Sequence, residues 1–244
     1  MGRAFLVGAF AASSLLLGAA IALVHRVSDR TLGLIMAFGA GVLISAVAYD
    51  LVEEAVITSG GTGVALGIGV GALTFFVGDW LIDRAGGADR KSLRGSAEGS
   101  AKAIVLGTVL DGVPESIVVG LSLLSGEGIG IAVFVAVFLS NLPEAMAASS
   151  GLAAGGVAPS RILRMWLLVA VVSGLASAIG YGLLGDARST AVAFVQAFAA
   201  GAILTMLADT MMPEAYEHGG PVAGLMTSLG FVVAFAIATA ERAA

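Results

Sequence analysis

The sequence predicts an all-α integral membrane protein. It has eight transmembrane helices, with helices 1–3 repeated in inverted orientation as helices 6–8 around helices 4–5. Three observations predict this fold. Of 244 residues, 58% are hydrophobic and 12% charged, whereas soluble domains carry about 25% charged residues. Apolar stretches long enough to cross a bilayer, about 20 residues each, recur eight times. A segment near the beginning, 36–55, reappears in related form near the end, 196–215.

The spans run approximately 4–24, 31–56, 62–82, 101–124, 128–152, 160–184, 189–213 and 220–240. The first follows Met1-Gly2-Arg3 and extends from Ala4 to Val24. That is longer than the roughly 7–15 apolar residues of a signal peptide, so it reads as a retained helix. The third holds Gly67, Gly69 and Gly71, and the sixth Gly174, Ser177 and Gly180. Small residues at such spacing let membrane helices pack backbone to backbone. Connections are short except 83–100, which is rich in Gly, Ser and charge and reads as a cytoplasmic loop. The whole chain, 1–244, reads as one membrane domain.

Basic residues orient the spans. With the N-terminus outside, the inner connections hold Arg26, Arg30, Arg84, Arg90, Lys91, Arg94, Lys102, Arg161 and Arg164, and the outer side holds Arg3, Arg188 and Arg242. This asymmetry follows the positive-inside rule and places both termini outside the cytoplasm, in a cell (plasma or inner) membrane. The net charge of −5 offers no basic face for nucleic acid. The absence of cysteine excludes disulfides and thiolate metal sites.

The repeat aligns without gaps. It matches Ala37 with Ala197, Phe38 with Phe198, Ala40 with Ala200, Gly41 with Gly201, Ala48 with Ala208, Glu54 with Glu214 and Ala55 with Ala215. In the topology above, the second span runs outward and the seventh inward. The repeat is therefore inverted, an arrangement that places substrate sites near the midplane of secondary transporters.

Between the repeats lie two related turns, Asp111-Gly112-Val113-Pro114-Glu115 and Ser140-Asn141-Leu142-Pro143-Glu144. A proline inside a helix frees a backbone carbonyl. A carboxylate at membrane depth costs kilocalories unless it meets a cavity or a cation. Asp111 and Glu115 share one helix face, as do Ser140 and Glu144. Asp111 lies about 15 Å from the inner end of its helix, near mid-bilayer. The antiparallel partner helix brings Glu144 to the same depth, so three carboxylates are expected to converge. Ser140, Asn141 and the carbonyls of Leu110 and Leu139 add neutral oxygens. Neither helix core contains lysine or arginine. A divalent cation is then the natural counter-charge, with Mn, Fe(II), Mg, Ca and Zn all compatible with oxygen ligands. The plainer alternative makes both prolines packing kinks.

These motifs resemble those of the ZIP (Zrt-, Irt-like protein) family of divalent metal transporters. That family carries a His-Asn-x-Pro-Glu motif in its fourth helix and a His-x-x-Pro-Glu motif in its fifth. The resemblance covers nearly the whole chain. It implies eight helices, inverted repeats, outside termini, a central metal pathway and a homodimer. By position it assigns metal contact to Asp111, Glu115, Ser140, Asn141 and Glu144. It also implies transport of Zn, Mn or Fe(II) into the cytoplasm as substrate, with no fixed cofactor and with the lipid bilayer as surroundings. Both motif histidines are replaced here, by Asp111 and Ser140, and Gly112 stands where the family has asparagine. Oxygen in place of imidazole hardens the site, which favours Mn(II) or Fe(II).

Acids at the two mouths suit entry and exit, with Asp50, Glu53 and Glu54 outside and Asp209, Glu214 and His218 inside. Acidic vestibules concentrate cations. The competing reading of these residues is that they are solvated helix ends. Met206, Met211 and Met212 read as packing. An enzyme is not expected. Tyr49-Asp50 and Gly78-Asp79 echo intramembrane aspartyl proteases, but Phe76 occupies the required glycine, and no histidine lies within a span. The remaining alternatives are a metal-binding or sensing paralogue that does not transport, and a proton-coupled carrier of another cation.

Overall fold

A computed structural model describes residues 1–25, 27–84, 100–124, 131–185 and 187–243. Among them no strand occurs. The helices are α1 (Gly2–Val24), α2 (Asp29–Ala46), α3 (Glu54–Ser59), α4 (Gly61–Ile82), α5 (Ser100–Leu121), α6 (Ile131–Ala154), α7 (Pro159–Leu184), α8 (Ser189–Met206), α9 (Met212–Gly219) and α10 (Val222–Arg242). Most of the loop expected at 83–100 lies outside the described residues, as does Arg26.

α2 and α3 form one rod joined by a π-helical segment, Val47–Glu53. α8 and α9 form another, joined by Leu207–Met211. Counting each rod once, seven helices among the described residues are long and apolar enough to cross a membrane, and the chain is a multi-pass membrane protein. α5, with Lys102, Asp111 and Glu115 among its 22 residues, is not among the seven.

Local chemistry sets the ends. Ser28 Oγ caps α2 by accepting from Thr31 N at 3.2 Å. Pro159 opens α7, where its missing N–H costs nothing. Gly60 (φ 76°) and Gly220 (φ 64°) end the two long rods in a backbone conformation that favours glycine.

Helix interruption is expected at Pro114 and Pro143, yet α5 and α6 run through both. One lost backbone bond is tolerated when neighbouring helices hold the rod in place. The irregular turns fall instead in the π segments, for which the residues themselves carry no signal.

The same 160-residue offset that aligns the repeat also aligns structural details. It relates the π-segment starts, Val47 and Leu207, and the left-handed glycines, Gly60 and Gly220. It relates two tight crossings as well. A methyl on Gly41 would strike the Thr227 carbonyl of α10, and one on Gly201 the Ile68 carbonyl of α4. The reciprocal contacts are Gly230 against the Phe38 carbonyl and Gly71 against the Phe198 carbonyl.

Two of the three buried clusters among the described residues organise most of the interior. The larger gathers α2, α8 and their π segments with Phe75, Val118, Val133, Val137 and Ala234. The smaller joins α1, α6 and α7 around Trp166, whose Nε1–H donates to Ser149 Oγ at 2.8 Å. Glycine contacts also tie this second group together, Gly18 meeting Leu142 of α6, and Gly8 meeting Ser177 of α7.

Candidate functional site

At the end of the bundle where α2 and α5 begin and α6 and α9 end, a cavity of about 40 Å³ is lined by side chains from all these helices. Its polar lining is Thr108 and Asp111 from α5, Glu144 from α6, Thr210 from the second π segment and Glu214 from α9. Asp111 is buried, 3% exposed. Glu144 is half-buried and the Glu214 side chain is 12% exposed, so the acids become wetter toward that end. Met36, Met206 and Met211 supply much of the apolar wall.

The antiparallel arrangement of the two Pro-Glu motifs brings Asp111 and Glu144 together as the spacing predicted. Glu115, one turn beyond Asp111, is directed elsewhere. It lines a smaller apolar pocket with Leu43, Val47, Val118, Val137 and Ile203, and its Oε2 is buried without a hydrogen-bond partner. Glu144 and Asp111 are the charges that bear on it. Among the described residues, no three His, Asp or Glu side chains stand close enough to hold one metal ion together. The carboxylates are strung along the bundle, with Glu115 deepest and Glu214 nearest the end.

The neutral ligands are buried. Ser140 is 3% and Asn141 5% exposed, and Ser140 Oγ donates back to Val137 O at 3.1 Å. The Leu139 carbonyl, released by Pro143, lies against Gly39 of α2, where an added methyl would stand 3.3 Å from it and 3.2 Å from Met211 Cε. Glycine here lets α2 and α6 approach beside the cavity.

The mouth residues divide. Glu214 lines the cavity, and His218, four residues on, has Nε2 3.9 Å from its carboxylate. Asp209 is exposed and lies outside the lining. At the opposite end, Glu53 is paired with Arg242 Nη1 at 3.0 Å, and Glu54 accepts from Gln196 Nε2 at 3.0 Å. Asp50 sits within the first π segment with its Oδ2 buried and lacking a hydrogen-bond partner.

Sequence reasoning missed Thr108, Thr210 and the three methionines as cavity residues. It also read Glu214 as a remote exit acid, although it shares a cavity with Asp111. The Glu54/Glu214 match in the repeat was the available signal.

No family model matches this chain. It is 29% identical over 192 residues to a protein of Arabidopsis thaliana whose name describes it as a candidate zinc transporter. The match covers 78% of this chain and 30% of that protein, so the chain spans about three-tenths of the relative's length.

Proposed function

We propose that the chain is a membrane transporter of the ZIP type that carries divalent metal cations, Zn, Mn or Fe(II), into the cytoplasm by alternating access. The observation that carries this reading is the cavity shared by Asp111, Glu144 and Glu214, three acids from three helices. Acidic side chains within membrane helices are rare and mark ion or proton pathways. The similarity to a plant protein named for zinc transport supports the same class.

In this reading α5 is the eighth span, and α1, α2–α3 and α4 repeat as α7, α8–α9 and α10 in inverted orientation. The matched π segments, glycine turns and glycine crossings support it. The α9 end faces the cytoplasm, both termini lie outside, and the cavity is the inward-open half of the pathway. Asp111, Glu144, Ser140 and Asn141 bind the ion, with Glu115 engaging it when the outer half opens. Glu214 passes it to the exit. Glu53, Glu54 and Asp50 form the entry. Alternating access results if the group of α1, α5, α6 and α7 slides against α2, α4, α8 and α10; the cluster around Trp166 lies within the first group, and the larger cluster spans the contact between the two. Metal passes as substrate down its gradient, and homodimerisation belongs to the same resemblance.

The metal preference has two opposing contributions. Asp111 and Ser140 in place of histidine harden the ligand set, while Met36, Met206 and Met211 around the cavity soften it. Uptake of Mn, Fe(II), Zn and Cd into proteoliposomes, with Glu144→Gln alongside, tests the proposal. Saturable uptake abolished by the substitution supports it, and flux no greater than in empty liposomes for every ion rejects it. A proton-coupled carrier of another cation is the second reading. The buried, partnerless Oε2 of Glu115 favours it, since proton relays use such groups.

A further inference from the structure

We propose that the last turn of α10 is a latch that holds the outer mouth closed in this conformation. Two adjacent residues form it. Arg242 Nη1 donates to Glu53 Oε2 at 3.0 Å, and its Nη2 donates to the Tyr49 carbonyl at 2.7 Å. Both partners belong to the first π segment. Glu241 Oε1 accepts from the backbone N–H of Ile131 at 2.9 Å. Ile131 is the first residue of α6, the helix that carries Ser140, Asn141 and Glu144. One helical turn thus joins the entry acids on one side to the start of a site-bearing helix on the other.

Each contact has a physical role. The Ile131 N–H is one of the unpaired donors at a helix N-terminus, and a carboxylate there gains from both the hydrogen bond and the helix dipole. The guanidinium gives its fork of donors to a carboxylate and a carbonyl at once, a geometry that lysine cannot copy. Arg242 is also the attractive charge acting on Asp50, whose Oδ2 has no hydrogen-bond partner. Tyr49 packs its ring against Phe231 and Phe235 of α10, at centroid distances of 6.1 and 5.1 Å, which fixes the register of the two helices. Arg242 therefore stands as a tethered cation on the acid that would capture an incoming ion. Glu115 lines an apolar pocket with Leu43, Val47, Val137 and Ile203, and Val47 belongs to the same π segment as Asp50 and Glu53.

The proposal rests on the alternating-access reading. If α6 moves relative to α10, the Glu241–Ile131 bond must break, and if a dication binds Glu53, Arg242 must leave it. The Arg242 and Glu53 side chains are 51% and 44% exposed. An exposed ion pair alone shifts an equilibrium only about two- to fivefold. The latch is therefore weak enough to release in each cycle.

The chain contains no cysteine, so a single introduced thiol is unique. Val137→Cys places one in the apolar pocket, at a position 5% exposed. In cells expressing the full chain, its modification by a membrane-impermeant maleimide added from outside is timed alone and with each of four further substitutions. Arg242→Gln and Glu241→Ala should each raise the rate at least about threefold, and Arg242→Lys should raise it less. Arg188→Gln, at the same end, should leave it unchanged. Equal rates in all backgrounds, including no modification in any, overturn the latch. Gel filtration of each variant separates opening from misfolding. The readout is exposure of a thiol and needs no metal flux. Loss of the transport reading would leave a labelling difference standing, and loss of the latch would leave flux standing.

Discussion

Alanine at Gly41 and alanine at Gly201 should destabilise the protein by similar amounts, because the two glycines occupy equivalent crossings in opposite halves. The methyl of Gly41→Ala would fall on the Thr227 carbonyl oxygen, 2.7 Å from Thr227 C and 2.8 Å from Phe231 N. That of Gly201→Ala would fall on the Ile68 carbonyl oxygen, 2.8 Å from its carbon and 2.9 Å from Ile68 Cα. Ordinary contact distances are about 3.5–4.0 Å, so each helix pair must part by on the order of 1 Å. The obstructing atoms are backbone, which cannot rotate away as a side-chain tip would. Overpacking of this kind costs about 1–3 kcal/mol. Alanine regains up to about 1 kcal/mol of helix propensity. The net loss is about 1–2 kcal/mol, or roughly 2–8 °C in Tm for a chain of this size. Gly69→Ala is the control, since nothing lies within 4 Å of its added methyl, and its Tm should hold or rise. Thermal unfolding in detergent measures all three. An unchanged Tm for Gly41→Ala, or a loss at only one of the pair, would refute the reasoning about matched crossings.

Other outcomes rest on single contacts. Trp166→Phe removes the indole donor to buried Ser149 Oγ and should lower stability by about 1–3 kcal/mol, read as a Tm shift. Asp209→Asn, exposed and outside the cavity lining, should leave the KM for uptake within about twofold, whereas Glu214→Gln should raise it. Ser28→Ala deletes the cap on Thr31 N and should cost about 1 kcal/mol, visible as faster amide exchange at the start of α2.

Much of the fold was legible because membrane helices announce themselves by length and hydropathy, and the short loops leave few ways to connect them. The Phe-x-Ala-Gly and Glu-Ala matches at one offset aligned Gly41 with Gly201, but nothing in them told that both lie at tight crossings. The π segments were not legible. Val47–Glu53 and Leu207–Met211 are apolar or acidic runs with nothing to distinguish them from ordinary helix, and their widened turns depend on packing against neighbours. Of the missed site residues, Thr210 and Met211 lie in the second π segment. Glu214 follows that segment in α9. The meeting of Asp111 with Glu144 could be read from antiparallel spacing alone. The departure of Glu115 toward an apolar pocket could not, because it depends on where α2 and α8 lie.

The most direct test is the initial rate of zinc uptake against concentration in proteoliposomes holding wild type or Asp111→Asn. A unit charge about 4 Å from a dication, at an effective dielectric of ~20, contributes about 8 kcal/mol before desolvation. Even a small net fraction of this is a tenfold effect, at about 1.4 kcal/mol per decade. Saturable uptake by wild type, reduced at least about tenfold in an equally stable Asp111→Asn, is the expected result. Equal uptake by both would contradict the assignment of this cavity as the metal path.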